Sequence, residues 1–197
     1  GLIYEDENII ENRVENINSF LTSSKDILNG MGCLVSADIF GYVLQNKSDS
    51  GIGQHLETIA ETVDFLSPMV YPSQYSKGSF GYHYPNDFPY EVVSAALQDG
   101  LIRGVEEEKI RPFLQGFWHS SKEVQLNIKA AENKNLDWII WNNSSQYEVE
   151  FFINNPSKFD LSFHKDWLDN YSESLIEDKV FKYLDISFSE IARLSRR

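Results

Sequence analysis

Of the 30 acidic residues in the chain, Asp38 is the one whose position invites chemistry. It lies in Cys33-Leu-Val-Ser-Ala-Asp-Ile-Phe40, an apolar run that reads as a buried strand, near that strand's C-terminal end. Two uses are open to it: a reactive acid or base, or a carboxylate capping a loop or a neighbouring backbone amide. Phe40, Tyr42, Tyr71, Tyr75, Trp118, Trp141 and Tyr147 fall at or just beyond the ends of four such runs, with Gln115 and Asn142 beside them. Rings and amides together suit a wet, ring-shaped ligand, and core packing is the competing use of Tyr71 and Trp141. Other chemistries lack their spacing. His55, His83, His119 and His164 show no metal-ligand pattern, so no metal and no cofactor is expected. Neither a Ser-His-Asp order nor a nucleophile elbow occurs. The single Cys33 reads as a small buried hydrophobe that opens its strand. Gly51-Ile-Gly53 has one feature of an anion site but reads as a plain helix start. Glu57, Glu61 and Asp64 read as solvated, and Asp87 as a cap for a following helix.

These residues need elements to hold them, and the organising stretch is Phe65-Leu-Ser-Pro-Met-Val-Tyr-Pro-Ser-Gln-Tyr75. Its first half is the short apolar run of a buried parallel strand, which Pro72 ends, leaving Tyr71 at the tip. Before it, Ile52, Leu56, Ile59 and Val63 recur at helical spacing. After it come an aromatic loop over 78–87 and a helix with Pro89 in its first turn. A first helix covers residues 7–28 and stops at Asn29-Gly30. Ser120-x-x-Glu123 is a capping box for a fourth helix that buries Val124, Ile128 and Ala131. Strands are therefore expected at 33–40, 65–71, 110–117 and 138–142, parallel and adjacent in that order. The fold class is α/β: about half of a (β/α)8 TIM-type barrel, four parallel βα units, plus a helical C-terminal extension. The barrel part spans residues 1–147; the extension spans 148–197, with Trp167, Tyr171, Val180 and Leu184 as its packing residues.

Composition narrows the partners. The net charge of −13 argues against a nucleic-acid partner, because a phosphate backbone would be repelled. No apolar run of about 18 residues exists, so no membrane span is expected. The chain starts Gly-Leu-Ile-Tyr-Glu-Asp-Glu, without a basic leader, and reads as the middle of a longer protein.

A longer pattern runs through the same residues. Val35-Ser-Ala-Asp-Ile-Phe-Gly41, Gly51-Ile-Gly-Gln54, Leu56-Glu57, Val63-Asp64 and Ser67-Pro-Met-Val-Tyr-Pro-Ser73 come first. Pro89-Tyr90, Arg111-Pro112, Leu114-Gln115 and Trp141-Asn142 with Tyr147 follow. In order and spacing, over residues 8 to 147, they resemble the glycoside-hydrolase-type proteins of a bacterial domain-of-unknown-function family. The resemblance implies a (β/α)8 barrel distantly similar to the α-amylase clan, here its C-terminal half, secreted or tethered at the cell surface. It implies a carbohydrate ligand, with Asp38 as nucleophile or acid/base and Tyr71, Tyr75, Gln115, Trp118, Trp141 and Asn142 as substrate contacts. Two positions depart from it. Gln74 stands where the family carries a histidine, and Gly116 where it carries an acid after Leu-Gln. The expected function is action on, or binding of, a polysaccharide or oligosaccharide, completed by a missing barrel half or by self-association. The alternative is a non-catalytic carbohydrate-binding or degenerate barrel remnant.

Overall fold

Alternation sets the first strand. Val35, Ala37 and Ile39 are buried, while Ser36, Asp38 and Phe40 are exposed, giving β1 (Ser36–Phe40) one packed and one open face. The computed structural model describes residues 9–152, and the expected helical extension lies outside the described residues. Three more strands follow: β2 (Phe65–Val70), β3 (Phe113–Gln115) and β4 (Ile139–Trp141). All neighbours pair in parallel, in the order β1-β2-β3-β4. Helix α1 (Ile9–Gly30) precedes β1, and α2 (Leu56–Thr62), α3 (Pro89–Ile102) and α4 (Ser121–Glu132) run between the strands. This is the α/β class, four parallel βα units in one sheet, compatible with part of a TIM-type barrel. Among the described residues the chain divides into two compact units, residues 9–115 with 126–141 and residues 116–125 with 142–152.

Ile39, Leu66, Val70 and Leu114 pack from the sheet, and Leu56 and Leu97 from α2 and α3, all at or near zero exposure. Burial of each such side chain contributes about 1.5–3 kcal/mol. Pro89 occupies the first turn of α3, and Val93 and Leu97 are buried as expected. The Glu123 carboxylate accepts from the Ser120 amide at 2.7 Å, the glutamate half of the expected capping box, and from the Ser120 hydroxyl at 2.6 Å.

Several boundaries differ from expectation. The first strand starts at Ser36 rather than at Cys33. Past α1 the chain turns through Gly32 at φ +81°, with the Cys33 amide donating to the Leu28 carbonyl at 2.9 Å. That turn leaves Cys33 exposed, not buried. The β3 ladder covers only Phe113–Gln115, preceded by an isolated bridge from Ile110 to Leu66; Pro112 between them has no amide to donate. The helix expected from Ile52 begins at Leu56. The buried Asp49 carboxylate explains this, because it accepts from the amides of Gly51 and Gly53, each at 3.0 Å. Both glycines sit at positive φ, so the segment is a turn around a carboxylate, and the apparent anion site is filled by the chain itself.

Asp49 also pairs with Arg13 of α1 at 2.7 Å, and the Arg13 hydrogen bond holds its carboxyl below the usual aspartate range. Asp64, expected to be solvated, accepts from the Val35 amide at 2.8 Å and pairs with Lys25 at 2.9 Å. Glu57 likewise is not simply solvated. It receives both arms of the Arg103 guanidinium, at 2.8 and 2.6 Å. Arg103 also donates to the carbonyls of Val43 and Asn46, each at 2.7 Å, so a single guanidinium joins the end of α3 to α2 and to the turn after β1.

Replacing Arg103 by alanine would strand those carbonyls and an acid together. We expect Arg103→Ala to cost about 3 kcal/mol, read as a fall of roughly 6–12 °C in Tm by calorimetry. Arg103→Lys, which cannot form the bidentate fork, falls between the two. A variant melting with the wild type would show that the guanidinium carries no such load.

Candidate functional site

Pairing register sorts the open face of the sheet into rows. Phe40, Met69, Phe113 and Ile139 are mutual partners across all four strands and form one apolar row. Two residues further on, Gln115 pairs with Trp141, and Tyr71 stands level with them on β2's extension. Two residues earlier, Asp38 pairs with Ser67, with Arg111 and Asp137 continuing that row. Asp38 thus shares a face with Tyr71, Gln115 and Trp141 but lies two rows, about 13 Å, before them along the strands. It is the central residue of β1, not one at the strand's C-terminal end.

The Asp38 carboxylate is exposed, and among the described residues it has no hydrogen bond and no ion pair. It caps nothing there. Partial burial raises its pKa above the ordinary aspartate value. Phe40 and Tyr42, 47% and 41% exposed, stack beyond it with ring centroids 5.4 Å apart. Trp141, 47% exposed, sets its edge on Phe113 at 6.1 Å. An unbonded acid can deliver a proton, and exposed ring faces can carry C–H-rich rings.

Other candidates are positioning groups. Gln115 is fully buried, and its Oε1 accepts from the Ser73 amide at 3.0 Å, clamping the turn after β2 to the end of β3. Its own carbonyl accepts from Asn127 of α4 at 3.1 Å. Tyr71 is buried. The Tyr75 hydroxyl points inward, beside Gln45 and against Gly41, and burial raises its pKa. A Cβ on Gly41 would lie 2.5 Å from the Met69 carbonyl oxygen and 2.6 Å from the Tyr75 hydroxyl oxygen, so only glycine fits there. Asp87 is exposed, and α3 has no side-chain cap.

The second unit holds the other two candidates. Asn142 donates to the Gly116 and Gln146 carbonyls, at 2.7 and 2.8 Å, and accepts from the Ser144 amide, which commits its amide to local structure. Trp118 is 76% exposed at φ +57°, a left-handed conformation that costs a bulky residue about 1–2 kcal/mol. His119 is buried, and burial lowers its pKa. No group of three or more His, Cys, Asp or Glu among the described residues is placed to hold a metal, and no described helix is long and apolar enough to cross a membrane.

A parallel βα sheet that leaves Asp38 and several rings open on a single face defines an α/β protein compatible with part of a barrel. Its sequence matches, over residues 1–147, the family described as "Putative glycosyl hydrolase domain", and the chain belongs to that family. No curated protein and no solved structure matches it.

Because folding raises the pKa of Asp38, its ionisation opposes the folded state once pH exceeds the unfolded value, near 3.9. Asp38→Asn is therefore expected to melt above the wild type at pH 7, with the gap closing below about pH 4. A lower Tm at pH 7 would show that the carboxylate serves the fold.

Proposed function

We propose that this chain is a carbohydrate-binding part of a glycoside hydrolase, with Asp38 as its one catalytic carboxyl and Phe40, Tyr42, Trp118 and Trp141 as ring platforms. The observation that carries the reading is the Asp38 carboxylate, exposed and unbonded among the described residues, on the face that also presents aromatic rings. A carboxyl with a raised pKa is suited to hold a proton and hand it to a leaving oxygen. Gln115 and Tyr75 act through the loops of the first unit, and Asn142 through its own loop in the second, rather than by reaching the sugar. Tyr71 completes the row level with Trp141.

Hydrolysis needs a second carboxyl, about 5–10 Å from the first. The residues ending β2, β3 and β4 are Val70-Tyr71, Gln115-Gly116 and Trp141-Asn142, none of them acidic. Asp137, in the same row as Asp38, stands three strand spacings away, about 14 Å. That gap favours the second reading, a binding segment without turnover of its own. We take the partner acid to come with the strands that complete the barrel, since β1 and β4 have one unpaired edge each among the described residues. Residues 148–197 form a separate extension in this reading, and an extracellular or cell-surface setting belongs to the same proposal.

The purified chain, incubated with α- and β-linked polysaccharides, should release no reducing ends above buffer. Loss of the second carboxyl alone removes about 10²–10⁴ in rate. Turnover that disappears in Asp38→Asn would overturn this and place a second carboxyl within these residues.

A further inference from the structure

Trp118 combines two features that oppose each other in a residue kept for folding. Its backbone lies at φ +57°, a conformation that glycine and asparagine adopt readily and a large side chain does not. Its side chain is 76% exposed, so little burial offsets that strain. Its one ring contact among the described residues is an edge-on approach to Phe117, with centroids 5.3 Å apart.

The flanks explain how the conformation persists. On one side the Gly116 carbonyl is held by Asn142 at 2.7 Å, and Phe117 is buried. On the other His119 is buried, and the Ser120 amide and hydroxyl both bind Glu123, at 2.7 and 2.6 Å. With both sides pinned, residue 118 has no freedom to relax, and its side chain is thrust outward. Strain that neighbouring contacts over-determine is found where function requires it.

We propose that Trp118 is held in this strained, outward pose as a preformed stacking surface for a pyranose ring of a neutral glycan, at a cost to the stability of the fold. This deepens the reading of the chain as carbohydrate-binding and is independent of any catalytic role for Asp38. A flat indole offers a face to the C–H side of a sugar without rearranging on binding, which preserves affinity. The acidic chain, at −13, repels polyanionic polymers, which leaves uncharged glycans as the fitting class.

The test measures stability and binding on the same variants. Trp118→Asn and Trp118→Gly relieve the strain, and Trp118→Phe keeps both a ring and the strain. Binding is followed by calorimetry with cellohexaose, maltohexaose and the hexamer of N-acetylglucosamine. The expected result is a Tm raised by about 2–4 °C in Trp118→Asn and not lowered in Trp118→Gly. With it, affinity for at least one hexasaccharide falls about tenfold or more in both, and is largely kept in Trp118→Phe. A Tm lowered in both Asn and Gly variants would show that the indole serves the fold and would overturn the proposal. So would an unchanged affinity, or no binding of any hexasaccharide by the wild type. Unchanged affinity in the Trp118 variants of a wild type that binds would sink this proposal alone, whereas a wild type that binds no hexasaccharide would sink the carbohydrate-binding reading with it.

Discussion

A parallel sheet forces each connection to travel from one end of a strand back to the start of the next, so the connections need anchoring. In this chain the anchors are buried or half-buried polar groups. Arg103 ties the end of α3 to α2 and to the turn after β1. Asp49 draws the Gly51–Gly53 turn onto Arg13 of α1, and Asp64 links Lys25 of α1 to the start of β1. Gln115 fixes the turn that follows β2. Each is expensive to leave half-paired, which makes each connection definite rather than merely short. The open face can present an unbonded acid because it has no such duty.

The same economy sorts the polar residues near the strand ends. Gln115 has its amide committed to the Ser73 backbone and the Asn86 side chain, and Asn142 has its amide committed to backbone groups, so in the proposed function they act on a ligand only through the loops they position. Asp38 has no commitment among the described residues, and Phe40, Trp141 and Trp118 leave much of their ring area in water. Asp38, Phe40 and Trp141 belong to the first unit and Trp118 to the second, and each unit presents its groups by itself.

Strand identity, order and direction were legible because short apolar runs alternate with helical periodicity, a signal that burial itself imposes. Membership of the glycosyl hydrolase family was legible from residue order alone. Side-chain commitments were not. The sequence treats Gln115 and a ligand-binding glutamine alike; its burial and its bonds to the Ser73 amide and the Asn86 side chain, at 3.0 and 3.5 Å, separate them. The role of Asp49 has no sequence signal, because a turn-forming acid near two glycines has no periodicity. Cys33 misled because the turn at Gly32 moved the strand start past it. The strain at Trp118 has no sequence signal, since a tryptophan in a left-handed position is uncommon enough that no pattern anticipates it.

In the proposed function Asp38 is an uncommitted carboxyl with a raised pKa on a glycan-facing surface, and its own titration reads that most directly. Carboxyl NMR of the side chain, followed from pH 2 to 8 with and without a bound hexasaccharide, would report its pKa. The expected value lies above that of an ordinary aspartate and moves when the sugar binds. A value at or below the ordinary one, indifferent to a bound hexasaccharide, would contradict it.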